Sequence, residues 1–143
     1  MIDQKRQLQL QQAIELLFYG YRAFTTPPDR ILAQKGLGRV HHRILYFVGR
    51  DPDLPLKQLL ARLAVSKQAL NGPLRQLAEM GLIDLRSDPN DGRVKLLRLS
   101  RAGERLEAQL TGTQMKQLDA AFKQAGATAE AGWREVMELL SGG

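Results

Sequence analysis

Apolar positions recur along this chain with two different periods, and the change of period divides it. Leu10, Ile14, Leu17, Phe18 and Tyr21 fall at i, i+4, i+7, i+8 and i+11, which gathers side chains on one helical face and predicts a helix over residues 5–24. Thr25-Thr26-Pro27-Pro28 should end it, because the residue before a proline is driven out of the α region. A short connection then leads to Gly36. Val40, Ile44, Phe47 and Val48 mark a second helix, closed by Gly49 and Asp51-Pro52. Leu56, Leu59, Leu60 and Leu63 lie on one side of a short third helix that is interrupted at Val65-Ser66. Ser66 is a favourable N-cap for a further helix reaching Met80, and Gly81 stands where a left-handed glycine would stop it.

After Gly81 the period drops to two. Ile83 and Leu85 alternate with Asp84 and Arg86, and Arg93–Leu99 is a second strand-like run. Between them, Ser87-Asp88-Pro89-Asn90-Asp91-Gly92 is rich in turn formers. Two helices joined by a tight turn, then a hairpin, make a winged helix-turn-helix. Ser100 caps a long helical region with Leu106, Leu110 and Ala121-Phe122 on its apolar side, weakened by Gly103, Gly112 and Gly126. Gly126-Ala127-Thr128 should separate a last helix carrying Trp133, Val136, Met137 and Leu140 at i, i+3, i+4 and i+7. The fold class is mainly α with a small β-hairpin. Residues 1–35 form an N-terminal dimerisation helix and connection, 36–100 the winged helix-turn-helix, and 101–143 the C-terminal dimerisation helices. The outer helices are assigned to pairing because a compact winged helix does not need their apolar faces, and isologous pairing of two copies is the usual use of such faces.

Composition removes most chemistry. Zero cysteines exclude a disulfide framework, a zinc ribbon and a thiol nucleophile. The two histidines, His41 and His42, are neighbours and on a helix point about 100° apart, so they do not converge on one metal by themselves. No G-x-S-x-G elbow occurs. No enzyme activity, catalytic residue, metal or cofactor is expected. No apolar run approaches a membrane span of roughly 18 residues, and the N-terminus lacks a signal-peptide core, so a cytoplasmic protein with no membrane partner is expected. Charge is segregated. Residues 35–105 hold 14 bases against 7 acids, a net +7 within a chain of net +6. A basic middle between nearly neutral ends is the footprint of a nucleic-acid-binding unit.

On the helix that Ser66 caps, Lys67, Gln68, Asn71 and Arg75 share one arc beside the apolar stripe of Leu70, Leu74 and Leu77. A helix in a major groove needs this division, since amides pair with adenine and bases with guanine. In the hairpin, Asp91-Gly92 reads as a tight turn, with Asp91 two residues from Arg93 to orient it for a narrow minor groove. Arg86 and Lys95 on the flanks read as phosphate contacts. Gly72-Pro73 lies inside the recognition helix. Pro73 cannot donate to the Ala69 carbonyl, so a bend near residues 69–73 is expected, with the base-contacting surface re-aimed.

The chain resembles the MarR family of winged-helix transcriptional regulators. The resemblance is carried by Leu59–Ser66 entering the recognition helix, by Leu74–Ile83 leaving it, and by Asp88–Gly103, which looks like the family's wing with its D-x-R signature. It implies a homodimeric regulator, typically a repressor, that binds double-stranded DNA at a pseudo-palindromic operator. By carry-over, Asp91 holds Arg93 for the minor groove, and Ser66, Lys67, Gln68, Asn71 and Arg75 meet the major groove. It also implies release by a small phenolic or anionic effector. Tyr19, Tyr21, Arg22, His41, His42 and Arg43 are the residues read as lining its pocket, an arginine meeting a carboxylate bidentately. The competing expectation is a winged-helix protein-interaction or assembly module with little specific DNA binding, favoured by Gly72-Pro73 alone. Salt dependence separates the two.

Overall fold

The computed structural model describes residues 1–142. In chain order the elements are α1 (Gln4–Gln34), α2 (Arg39–Arg50), β1 (Leu54–Pro55), α3 (Leu56–Leu63), α4 (Lys67–Glu79), β2 (Ile83–Asp88), β3 (Asp91–Leu99), α5 (Arg101–Ala125) and α6 (Ala127–Leu140). The protein is mainly helical, with a three-stranded antiparallel sheet in the order β1-β3-β2. The backbone gathers into two compact units, Thr25–Gly112 and the two ends, Met1–Phe24 with Thr113–Gly143.

Residues 25–112 hold the core. Leu32, Ile44, Leu45, Leu54, Leu59, Leu70, Leu77, Leu97 and Leu110 are all essentially without solvent contact. They come from α1, α2, β1, α3, α4, β3 and α5, so one apolar cluster seats the whole helix-turn-helix. The turn between α3 and α4 is made by Ala64 in the left-handed conformation, φ 54°. Gly81, at φ +72°, ends α4, with Leu82 N–H returning to the Leu77 carbonyl at 3.0 Å, the bonding of a Schellman stop. Ser100 caps α5 as expected. Its Oγ accepts from Gly103 N–H at 3.0 Å and donates to the Gly81 carbonyl at 2.6 Å. Gly103 is not simply a weak point in that helix. A Cβ there would lie 2.0 Å from the Leu82 carbonyl oxygen, so glycine is what lets α5 start against the end of α4.

Three local expectations are corrected. Helix α1 does not end at Thr25-Thr26-Pro27-Pro28 but runs through both prolines to Gln34. A proline inside a helix frees the carbonyl four residues back, here those of Ala23 and Phe24. Gln117 Nε2 donates to the Ala23 carbonyl at 2.8 Å and Gln114 Nε2 to the Phe24 carbonyl at 3.5 Å. Side-chain amides thus replace the missing rungs. The hairpin is also tighter than its composition suggests. The turn is Pro89-Asn90, and Asp91-Gly92 belongs to β3. Asp88 Oδ1 accepts from Asn90 N–H at 2.8 Å, an Asx turn that closes the corner one step earlier. Finally, β1 is a third strand that no periodicity announced. It is two residues long and pairs Leu54 with Leu97 and Pro55 with Leu96.

In the other unit, α5 and α6 are separated by Gly126 alone, at φ +100°. Phe122 and Trp133 meet edge to face at 5.2 Å between ring centroids, and Arg134 lies over Phe122. On α1, Arg22 sits over both Phe18 and Tyr19. No helix among the described residues is long and apolar enough to cross a membrane.

Candidate nucleic-acid interface

The recognition helix is fixed from below and from both ends. Leu70, Leu74 and Leu77 are buried, and Ser66 Oγ accepts from Ala69 N–H at 3.1 Å, satisfying one of the orphan donors at the helix start. Lys67, Gln68, Asn71 and Arg75 are all exposed, as is Ser66. The structure therefore brings the five predicted residues onto one accessible surface. Helix α4 continues unbroken through Gly72-Pro73 to Glu79. The buried leucines on either side of Pro73 hold the two halves to the same core, which outweighs the local cost of the proline.

The other end of α4 is tied down by a histidine. His41 Nδ1 accepts from Gly38 N–H at 2.9 Å, which leaves the proton on Nε2 to be donated to Gln76 Oε1 at 2.9 Å. Gln76 Nε2 in turn donates to the Gly36 carbonyl at 3.3 Å. Both ring nitrogens of His41 thus knit the start of α2 to α4. His42 is also buried, and its Nε2 donates to Thr111 Oγ1 at 3.1 Å. Thr111 passes its own proton toward Glu107 in a short hydrogen bond. Burial pulls the His42 pKa below the usual histidine range, against the opposing pull of Glu107. Of the other residues read as lining an effector pocket, Arg43 is exposed on α2, and Tyr19, Tyr21 and Arg22 lie on the part of α1 that belongs to the other unit.

At the wing, Asp91 Oδ1 accepts from Arg93 N–H at 3.1 Å and from Arg93 Nε at 3.2 Å. One carboxylate oxygen thereby restrains backbone and guanidinium together. The Arg93 side chain is nonetheless 93% exposed. Lys95 Nζ donates to Ser87 Oγ across the hairpin at 3.1 Å. Arg86, also exposed, pairs with Asp53 at 2.9 Å. Arg98 meets the same carboxylate with two bonds, Nε to Oδ1 at 3.1 Å and Nη2 to Oδ2 at 2.6 Å. These hydrogen bonds, Arg98 first and Arg86 second, hold the Asp53 carboxyl below the ordinary range. Sequence reasoning missed both Asp53 and Arg98. Arg98 carries a visible strand alternation, but Asp53 lies 45 residues away and gives no local signal.

A helix-turn-helix backed by a three-stranded antiparallel sheet, with a basic outer helix and an arginine-tipped hairpin, is a winged-helix DNA-binding protein. Residues 35–94 match the MarR family. The chain is 42% identical over 132 residues to the HTH-type transcriptional regulator PetP of Rhodobacter capsulatus, covering 92% of this chain and 80% of PetP. This chain belongs to the MarR family of winged-helix transcriptional regulators, and is a DNA-binding regulator of transcription, not an enzyme. Solved structures share the fold. The MarR family transcription regulator SP03579 superposes with a TM-score of 0.76 at 25% identity, over 93% of this chain and 88% of that one. Streptococcus pneumoniae FabT, in complex with DNA, superposes with a TM-score of 0.77 at 19% identity, over 92% and 97% of the two chains.

Proposed function

We propose that this protein is a sequence-specific repressor that binds a pseudo-palindromic operator as a homodimer. The observation that carries the reading is the pairing of two reading heads in residues 25–112. One is the exposed arc of Lys67, Gln68, Asn71 and Arg75 on α4; the other is Arg93, exposed yet steered by Asp91. The arc offers amide and cationic groups suited to base edges in a major groove. Arg93 suits the narrow minor groove beside it, where negative potential is concentrated. That FabT, which shares the fold, was solved on DNA supports DNA as the partner. A dimer supplies two such heads, and its operator is then palindromic because the protein is two-fold symmetric. Repression follows where the occupied site overlaps a promoter.

The apolar surface of the outer helices supports pairing with a second copy. Ile14, Leu17, Phe18, Val136, Leu139 and Leu140 are all more than half exposed in the single chain, and apolar side chains left exposed in this number suit an interface.

Selection of duplexes from a randomised pool by the purified protein, at near-physiological salt, tests the reading. Enrichment of a palindrome with half-sites about one helical turn apart is expected. Arg93→Ala should weaken binding to the enriched site by about tenfold. A pool that shows no enrichment would overturn the assignment.

A further inference from the structure

Asp53 stands at an unusual place. It immediately precedes β1 and has φ 63°, a left-handed backbone that aspartate and asparagine tolerate better than most residues. The pairing of Leu54 with Leu97 in an antiparallel ladder sets Asp53 beside Arg98. From there its carboxylate takes the two-pronged contact from Arg98 on β3 and a third bond from Arg86 on β2. Isolated surface ion pairs contribute little, but a bidentate arginine within a network is the favourable geometry.

The place matters because the wing is a cantilever. β1 pairs only with Leu96 and Leu97, so the rungs beyond them toward Pro89-Asn90 have no third strand. From Arg98 to Arg93 the strand spans about 17 Å. Over that length, a tilt of about 10° at the foot moves the tip by about 3 Å, the difference between entering a groove and missing it. We propose that Asp53 is a positioning residue for the wing, one carboxylate at the foot of the sheet that clamps both hairpin strands and so aims Arg93. The proposal rests on the reading that Arg93 enters the minor groove.

The full-length Asp53→Asn variant keeps the backbone preference and the side-chain shape, and removes the charge. Its affinity for the enriched duplex is compared with those of Arg93→Ala and the double variant. Asp53→Asn should bind about five- to tenfold more weakly, and the double variant no more weakly than Arg93→Ala alone, because the two losses are the same loss. Additive losses, unchanged affinity, or tighter binding with a steeper salt dependence would overturn the positioning role. The last would mean that Asp53 merely holds Arg86 and Arg98 away from phosphates. If Arg93→Ala binds as well as the parent, the minor-groove reading fails by itself. The clamp is then judged on the free protein, where amides of β2 and β3 exchange faster in Asp53→Asn if it holds the wing, and at the parental rate if it does not. Should Asp53→Asn fail to fold, Arg98→Lys, which keeps the charge and loses the fork, is read in the same way.

Discussion

Two regions of this chain use similar amounts of helix to opposite ends. Residues 25–112 bury leucines from seven elements in one cluster. The terminal unit, in contrast, contains no fully buried residue among those described. α6 has none in any of its turns, although Trp133, Val136, Leu139 and Leu140 are as apolar as anything in the core. Hydrophobic composition is therefore no guide to which region is a core. What differs is whether the chain itself supplies the opposing surface. The first region is complete in one copy, and the second becomes complete in the proposed dimer.

The strongest way to break this contrast is to charge the apolar face of α6. Val136→Asp with Leu139→Asp should convert dimers to monomers in sedimentation. Affinity for the enriched duplex should fall by about 100-fold as the two heads lose their linkage, while the unfolding of residues 25–112 is spared. Two glycines sharpen the contrast further. Gly103→Ala drives a Cβ into the Leu82 carbonyl, and we expect about 3 kcal/mol of destabilisation by urea unfolding. Gly132 has open space around it in the single chain. Gly132→Ala should raise stability by about 0.5–1 kcal/mol through helix propensity, unless a second copy packs there, in which case the dimer weakens. The smallest effect concerns pH. Burial lowers the folded pKa of His42 below its unfolded value, so the unfolded state takes up the proton first. The contribution is fully present above the unfolded pKa of about 6.5 and is lost as pH falls through the folded value. Unfolding midpoints should drop between neutral and mildly acidic pH, and His42→Gln should flatten that part of the profile.

Much of the helix-turn-helix was legible because its signals are local. Ser66 caps, Gly81 stops, and the leucine stripe of α4 turns at helical period. The wing residues Asp91 and Arg93 were legible for the same reason, standing two apart in one strand. What stayed hidden depends on partners far along the chain. The prolines of α1 read as a terminator because the glutamines that replace the lost donors lie about 90 residues on. Gly103 read as a weakness because the carbonyl it accommodates belongs to Leu82. β1 has too few residues for any period, and Asp53 acquires its meaning only when β1 lies against β3.

The proline pair has a practical consequence for spectroscopy. Positions 27 and 28 carry no amide hydrogen, so this stretch of α1 is silent to amide-detected experiments. The side-chain NH2 group of Gln117, donated to the Ala23 carbonyl, fills that silence. Its bonded proton should exchange slowly and resonate apart from the other, giving a signal that reports on this stretch of α1 from α5.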